Sequence, residues 1–178
     1  MKIKIKYILQ VAESFLYGWT NRLLGKKIKI ATVSFISRKA SLITDGAASF
    51  INIGFRSAVR NNTELHADGG IIYIGEKCFI NKNCMIVSHE RIDIQSGVTI
   101  GPNVCIYDHD HDGNGGFISK PIMIKANTWI GAGCIILKGV TIGENCTVAA
   151  GTVVSKDVPD NMLVYQHRDT LYRAKEIL

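Results

Sequence analysis

Proline is scarce, with three residues in the 178-residue chain against seventeen glycines. The five cysteines include no C-x-x-C pair. Neither a disulfide framework nor a zinc site of that kind is therefore expected, and the plain expectation is buried, reduced thiols in a cytoplasmic protein. No apolar run approaches the ~18 residues that a membrane-spanning helix needs. Lys2, Lys4 and Lys6 resemble the start of a signal peptide, but Gln10, Glu13, Asn21 and Arg22 interrupt the apolar stretch behind them. No small-x-small cleavage pattern appears, so secretion is not expected. Hydrophobic residues make up 47% and charged residues 20%, which excludes disordered and collagen-like chains.

Net positive charge is missing from most of the chain. The formal net charge is +6, yet residues 1–40 hold nine Lys/Arg against the single Glu13, a balance of +8. The remaining 138 residues carry 12 basic and 14 acidic groups, or −2. Nucleic-acid binding needs cations clustered on the binding surface, so the basicity of one terminus does not predict it.

What is abundant is isoleucine and valine, 38 residues together, and they recur with a period of six. Ile74, Ile80 and Ile86 form one run; Ile94, Ile100 and Ile106 form the next. Ile124, Ile130, Ile136, Ile142, Val148 and Val154 form the third. At that frequency, twelve coincidences have a chance of roughly 10⁻⁸, and an internal repeat outranks other signals. A second small or apolar residue sits two places earlier, as in Cys78, Cys84, Val98, Val104, Cys134 and Cys146. Two residues two apart on a strand point the same way. The triplets after each key residue read as bends: Asn81-Lys82-Asn83, Gly101-Pro102-Asn103, Gly131-Ala132-Gly133, Gly143-Glu144-Asn145. Strand and bend alternate with no room for a crossover helix. The expectation is an all-β parallel β-helix solenoid, in which the inward cysteines are packing residues.

Three segments are expected: 1–27 a cap, 28–158 the solenoid, and 159–178 a tail. Within the first, residues 6–24 place Ile8, Ala12, Phe15, Leu16, Trp19 and Leu23 at helical spacing. This predicts an amphipathic helix whose apolar face caps the solenoid end, with weak membrane-surface association through its basic residues as a second role. Inside the solenoid, residues 107–121 depart from the pattern. Asp112 falls where Ile or Val is due, and Asp108, His109, Asp110, His111 and three glycines surround it. A projecting loop is expected there, where function concentrates.

The run IGPNVCIYDHDH…KPIMIKANTWIGAGCIILKGVTIGENCTVAAGTVVSKDVP resembles the hexapeptide-repeat acyltransferases. It is most similar to O-acetyltransferases of bacterial surface-polysaccharide biosynthesis and to galactoside and maltose acetyltransferases. The resemblance implies a left-handed β-helix, a homotrimer with sites between subunits, and acetyl-CoA as acyl donor, with no metal. It implies that His111, seven residues past Val104, is the general base that takes a proton from the acceptor hydroxyl. Only one of the paired histidines is expected to face the cleft, which leaves His109 to order the loop. The backbone N–H of Ala132 matches the oxyanion donor. Trp129, Gly131, Ala132, Ala150, Ser155 and Lys156 match positions of the coenzyme groove. Asn81, His89 and Asp108 match acceptor positions, with His89 standing where galactoside enzymes carry a carboxylate. Gln166-His167-Arg168 replaces the family's G-x-P turn.

The implied activity is acetyl transfer to a sugar hydroxyl; the alternative is N-acetylation of a nucleotide-linked amino sugar, which would use the same base. A carbonic anhydrase of this fold would need three zinc-binding histidines, and His66, His89, His109 and His111 lack the spacing. A purely structural solenoid would have no need of the histidine-rich loop.

Overall fold

The computed structural model describes residues 2–23 and 25–167. A helix, Lys2–Leu23, precedes a chain of short strands that wind into a β-solenoid of about six turns. Three parallel sheets form its faces. Face A stacks Ile28–Ile30, Phe50–Ile53, Ile71–Ile74, Arg91–Ile94, Ile122–Ile124 and Thr141–Ile142. Face B begins at Phe35–Ile36 and ends at Leu163–Val164, so this sheet continues past residue 158. Face C runs from Ser41–Asp45 through Glu64–Asp68, Met85–Ser88 and Cys105–Tyr107 to Ile135–Ile136 and Val153–Val154.

The six-residue period is the chain's path from one face to the next. Registers are in step: Ile74 pairs with Ile94 and Ile94 with Ile124 on face A, and Ile100 with Ile130 on face B. Each Ile or Val of the repeat therefore lies on its own kind in the neighbouring turn. Ile53, Ile74, Ile80, Ile86, Ile94, Ile100, Ile106, Ile124, Ile130, Ile136 and Ile142 have no exposed surface. Burying one such side chain contributes ~1.5–3 kcal/mol. Cys78, Cys84, Cys134 and Cys146 fill the smaller inward positions as free thiols, and burial pushes the first three above the ordinary thiol pKa.

Two corners are tight and one is roomy. At the A-to-B and B-to-C corners the third bend residue is left-handed: Asn62, Lys77, Asn83, Asn103, Asn127, Asn145 and Asn161 have φ between 54° and 63°. Asparagine tolerates that conformation. The first bend residue is often glycine for a different reason. A Cβ on Gly101 would come within 2.7 Å of the Ala132 nitrogen, and one on Gly131 within 2.6 Å of the Ala150 nitrogen. The C-to-A corner takes extra residues, Asp68-Gly69-Gly70 in one turn and Ser88-His89-Glu90 in the next, which accounts for the two-residue slip in the repeat after Ile86. One turn later it ejects the whole segment 108–121.

The N-terminal helix packs on the first turn with the face opposite to the one its apolar spacing suggests. Ser14 and Asn21 are buried, and the Ser14 hydroxyl accepts a 2.8 Å hydrogen bond from the Ile36 N–H. Gly18 lets Ile30 approach to 3.2 Å of where a Cβ would stand. Ile8, Ala12, Phe15, Leu16, Trp19 and Leu23 all face away and are exposed. The open edge of the first turn presents backbone groups, which small and polar helix residues can meet, and Tyr17 packs against the core beside them.

Among the described residues no helix is long and apolar enough to cross a membrane. In the C-terminal triplet Gln166-His167-Arg168, Gln166 completes the edge of face C. Its side-chain amide donates to the Val153 carbonyl at 3.1 Å and accepts from the Val153 N–H at 3.2 Å, as a strand would. Arg168 lies outside the described residues.

Candidate functional site

The segment after Tyr107 is a projecting β-hairpin. His109–His111 pairs antiparallel with Phe117–Ser119, in the register His109 with Ser119 and His111 with Phe117. Its tip is closed by Asp112, whose carboxylate accepts the N–H groups of Asn114 at 2.7 Å and Gly116 at 2.9 Å. Those bonds hold the Asp112 carboxyl below the usual carboxylate range. The Lys120 N–H bonds the Asp108 carbonyl at 2.8 Å, and Lys138 of the following turn pairs with Asp110.

Asp108 is the root of the hairpin. Although expected among the acceptor contacts, it is 0% exposed and its oxygens are occupied from within. Ser88 Oγ donates at 2.8 Å, the His89 N–H at 2.8 Å and the Glu90 N–H at 2.9 Å. Nδ1 of His109 lies 3.3 Å from Oδ1. Polar atoms buried in a protein interior need such partners, and these tie the hairpin to the corner of the turn beneath. Asp108 therefore ties the loop to the body of the chain.

Above it lies a cluster of rings. His89 packs edge-on against His109 with centroids 4.0 Å apart, and stacks on Phe117 at 4.1 Å. Burial in this cluster, then the neighbouring His109, lower the pKa of His89, with Asp68 3.8 Å away as an opposing influence. His109 and His111 stand two residues apart on one strand, so they project from the same side. Both rings meet Phe117, at 5.3 and 4.9 Å. The expectation that only one of them faces the cleft is thus replaced by a difference in burial. The His109 side chain is 11% exposed, between Asp108, His89 and Phe117, whereas His111 is open to solvent.

The other expected residues fall elsewhere on the prism. Gly131, Ala132 and Ala150 come together at the B-to-C corner, the Ala150 nitrogen directly over Gly131. Trp129, 56% exposed, stands beside them on face B between Thr99 and Thr147. Asn81 is on the same corner two turns below, and its Oδ1 accepts from the N–H of Lys82 at 2.9 Å. Ser155 and Lys156 are exposed at the far edge of face C, on the roomy corner. The Ala132 corner and the histidine hairpin are separated by the width of face C, about four residues or ~13 Å of strand. One chain does not join them.

Ser88, Phe117 and Lys138 were not singled out from sequence. Phe117 had a visible signal, as the one aromatic between glycines and a strand. Ser88 and Lys138 had none, because their partners, Asp108 and Asp110, lie 20 and 28 residues away. Among the described residues, no group of three His, Cys, Asp or Glu is placed to hold a metal ion.

The profile "Bacterial transferase hexapeptide (six repeats)" matches residues 121–156. A Schizosaccharomyces pombe protein bearing an acetyltransferase designation is 35% identical over 150 residues, covering 80% of this chain and 70% of that protein. The chain belongs to the hexapeptide-repeat transferase family. Nodulation protein L of Rhizobium meliloti is 46% identical over 101 residues, 53% of this hexapeptide chain and 55% of that protein. This chain thus spans about half the length of that relative. A hexapeptide-repeat acetyltransferase from Vibrio cholerae, solved in complex with acetyl-coenzyme A, is 35% identical with a TM-score of 0.56. The match covers 62% of this chain and 63% of that one.

Proposed function

We propose that this chain is an acetyl-CoA-dependent O-acetyltransferase that acetylates a sugar hydroxyl, with surface-polysaccharide synthesis in the cytoplasm as its setting. The observation that carries the reading is the hairpin itself. A solvent-open imidazole, His111, is held on an antiparallel strand pair and rooted by the buried Asp108 carboxylate. A base must reach the proton it abstracts; His111 is accessible, while His109 is packed into the wall beneath it. The Vibrio cholerae relative with bound acetyl-CoA supports the choice of donor.

In the proposed reaction, Nε2 or Nδ1 of His111 takes the proton of the acceptor hydroxyl as that oxygen attacks the thioester carbonyl of acetyl-CoA. The tetrahedral oxyanion is met by the Ala132 N–H, a contribution of roughly 3 kcal/mol for such a donor. It collapses with loss of the thiolate, which recovers a proton as CoA–SH. Trp129, Ala150, Ser155 and Lys156 would line the coenzyme path, and Asn81 and His89 the acceptor side. Because Ala132 and His111 occupy different corners of one prism, the working site takes one from each of two copies. A homotrimer closed about a threefold axis provides three such sites.

The test is CoA release by purified protein across free sugars, nucleotide sugars and lipid-linked glycans. Turnover is expected with hydroxyl acceptors; turnover of an amino sugar with an inert hydroxyl analogue would establish N-acetylation instead. Light scattering should report a particle three times the 19.6 kDa chain. A fully active monomer would overturn the shared site.

A further inference from the structure

The N-terminal helix is inside out for a solenoid cap. Such a helix ordinarily buries its apolar stripe against the body. Here the face against the body carries Ser14, Tyr17, Gly18 and Asn21, with Tyr17 packed on the core, while Ile8, Phe15, Leu16, Trp19 and Leu23 are 55–69% exposed. Their spacing keeps them in one stripe, and 16 residues of helix make it about 24 Å long. Phe15 and Trp19 also line a groove of ≈ 710 Å³ with Lys26, Lys27, Lys29 and Phe50. The cationic excess of the chain is concentrated here: residues 1–40 hold +8, the rest −2.

We propose that this face docks on an anionic lipid bilayer, with the helix lying in the interface plane. Two independent features match that one partner. An apolar stripe with aromatic residues sinks into the headgroup boundary, and flanking lysines meet the negative surface. A second copy of the chain fits less well, because apposed stripes would also bring two +8 segments together. The inference does not rest on the proposed acetyl transfer, since lipid binding is read without turnover. Docked this way, the first turn of the solenoid lies at the membrane. The hairpin, three strand spacings up face C, stands roughly 15 Å above it.

The experiment is sedimentation of the full chain with large unilamellar vesicles, either phosphatidylcholine alone or with 30% phosphatidylglycerol. Binding to the anionic vesicles is expected to be at least tenfold tighter than to the neutral ones, and to weaken as salt rises from 0.1 to 0.5 M. Phe15→Ser with Trp19→Ser should lower it at least tenfold with an unchanged circular dichroism spectrum and melting temperature. Lys27→Glu with Lys29→Glu should abolish the preference for anionic lipid. Equal binding to both vesicle types, or no effect of the Phe15/Trp19 pair, would overturn the proposal. So would a change of oligomeric state in that double variant, since the stripe would then be a subunit contact.

Discussion

Replacing Asp108 by Asn tests whether the hairpin is rooted by a buried carboxylate. The side chain keeps its size and loses its charge and one acceptor. In the native chain Oδ1 accepts from the His89 N–H, and Oδ2 from Ser88 Oγ and the Glu90 N–H. An asparagine oxygen at the Oδ2 position retains two of these bonds and turns its NH₂ toward the His89 N–H; the other orientation retains one. Hydrogen bonds to a charged acceptor are worth about 1.5–3 kcal/mol each. Ser88 has the Ile71 carbonyl at 3.1 Å as a second partner, which softens the loss. The expected cost is therefore ~2–4 kcal/mol, from one lost charged bond and the weakening of the rest. For a domain of this size that lowers the melting temperature by roughly 5–15 °C. Solenoids open locally as well as globally, so amide hydrogen exchange is the sharper assay. Protection of the His89 and Glu90 amides should fall by ~30-fold or more, the equivalent of about 2 kcal/mol. Unchanged protection and melting would refute the rooting role. If CoA release collapsed while both stayed native, Asp108 would have to be touching substrate after all.

His111→Ala should lower turnover at least ~10²-fold with folding intact, the lower bound for removing a general base. His109→Ala should keep most turnover and lower the melting temperature instead, since its ring packs on His89 and Phe117. A silent His111→Ala beside a dead His109→Ala reverses the assignment. Gly131→Ala forces a Cβ to within 2.6 Å of the Ala150 nitrogen and 2.7 Å of the Val148 oxygen, both backbone. The turns must part, at a cost of ~1–3 kcal/mol for overpacking, and coenzyme affinity at that corner should fall with it, as calorimetry would show. His89 has its folded pKa lowered, chiefly by burial. The unfolded chain then binds the proton more readily. Stability from this group is full above the ordinary value near ~6.5 and declines as pH falls through that value toward the lowered one. Urea melts between pH 7.5 and 5.5 should show that decline, and His89→Gln should flatten it; an identical slope in the variant would count against the ring cluster.

The solenoid was legible in the sequence because its geometry is periodic. One Ile or Val for each successive face, every six residues, leaves a one-dimensional trace, and asparagine or glycine recurs at most of the left-handed bends, with Val33, Arg56 and Lys77 as exceptions. The excursion at 107–121 was legible for the converse reason: charges and glycines occupy positions that the interior cannot accept. Even the slip of two residues after Ile86 recorded the extra length of the third corner.

Tertiary structure alone decided which side of each polar feature faces inward. The stripe of Ile8, Phe15, Trp19 and Leu23 has the spacing of a buried face, and helical periodicity states that a stripe exists without stating what it meets. The helix meets the open edge of the first turn through Ser14, Tyr17 and Asn21. Asp108 read as an acceptor position; its burial depends on Ser88 and two amides of the previous turn, about twenty residues away in sequence and one strand spacing away in space. His109 and His111 carry the same side chain on the same side of one strand. They differ because His89 and Asp108 close over one ring and leave the other open. Contacts between turns decide these matters, and a linear spacing does not encode which residues of neighbouring turns come to share a corner.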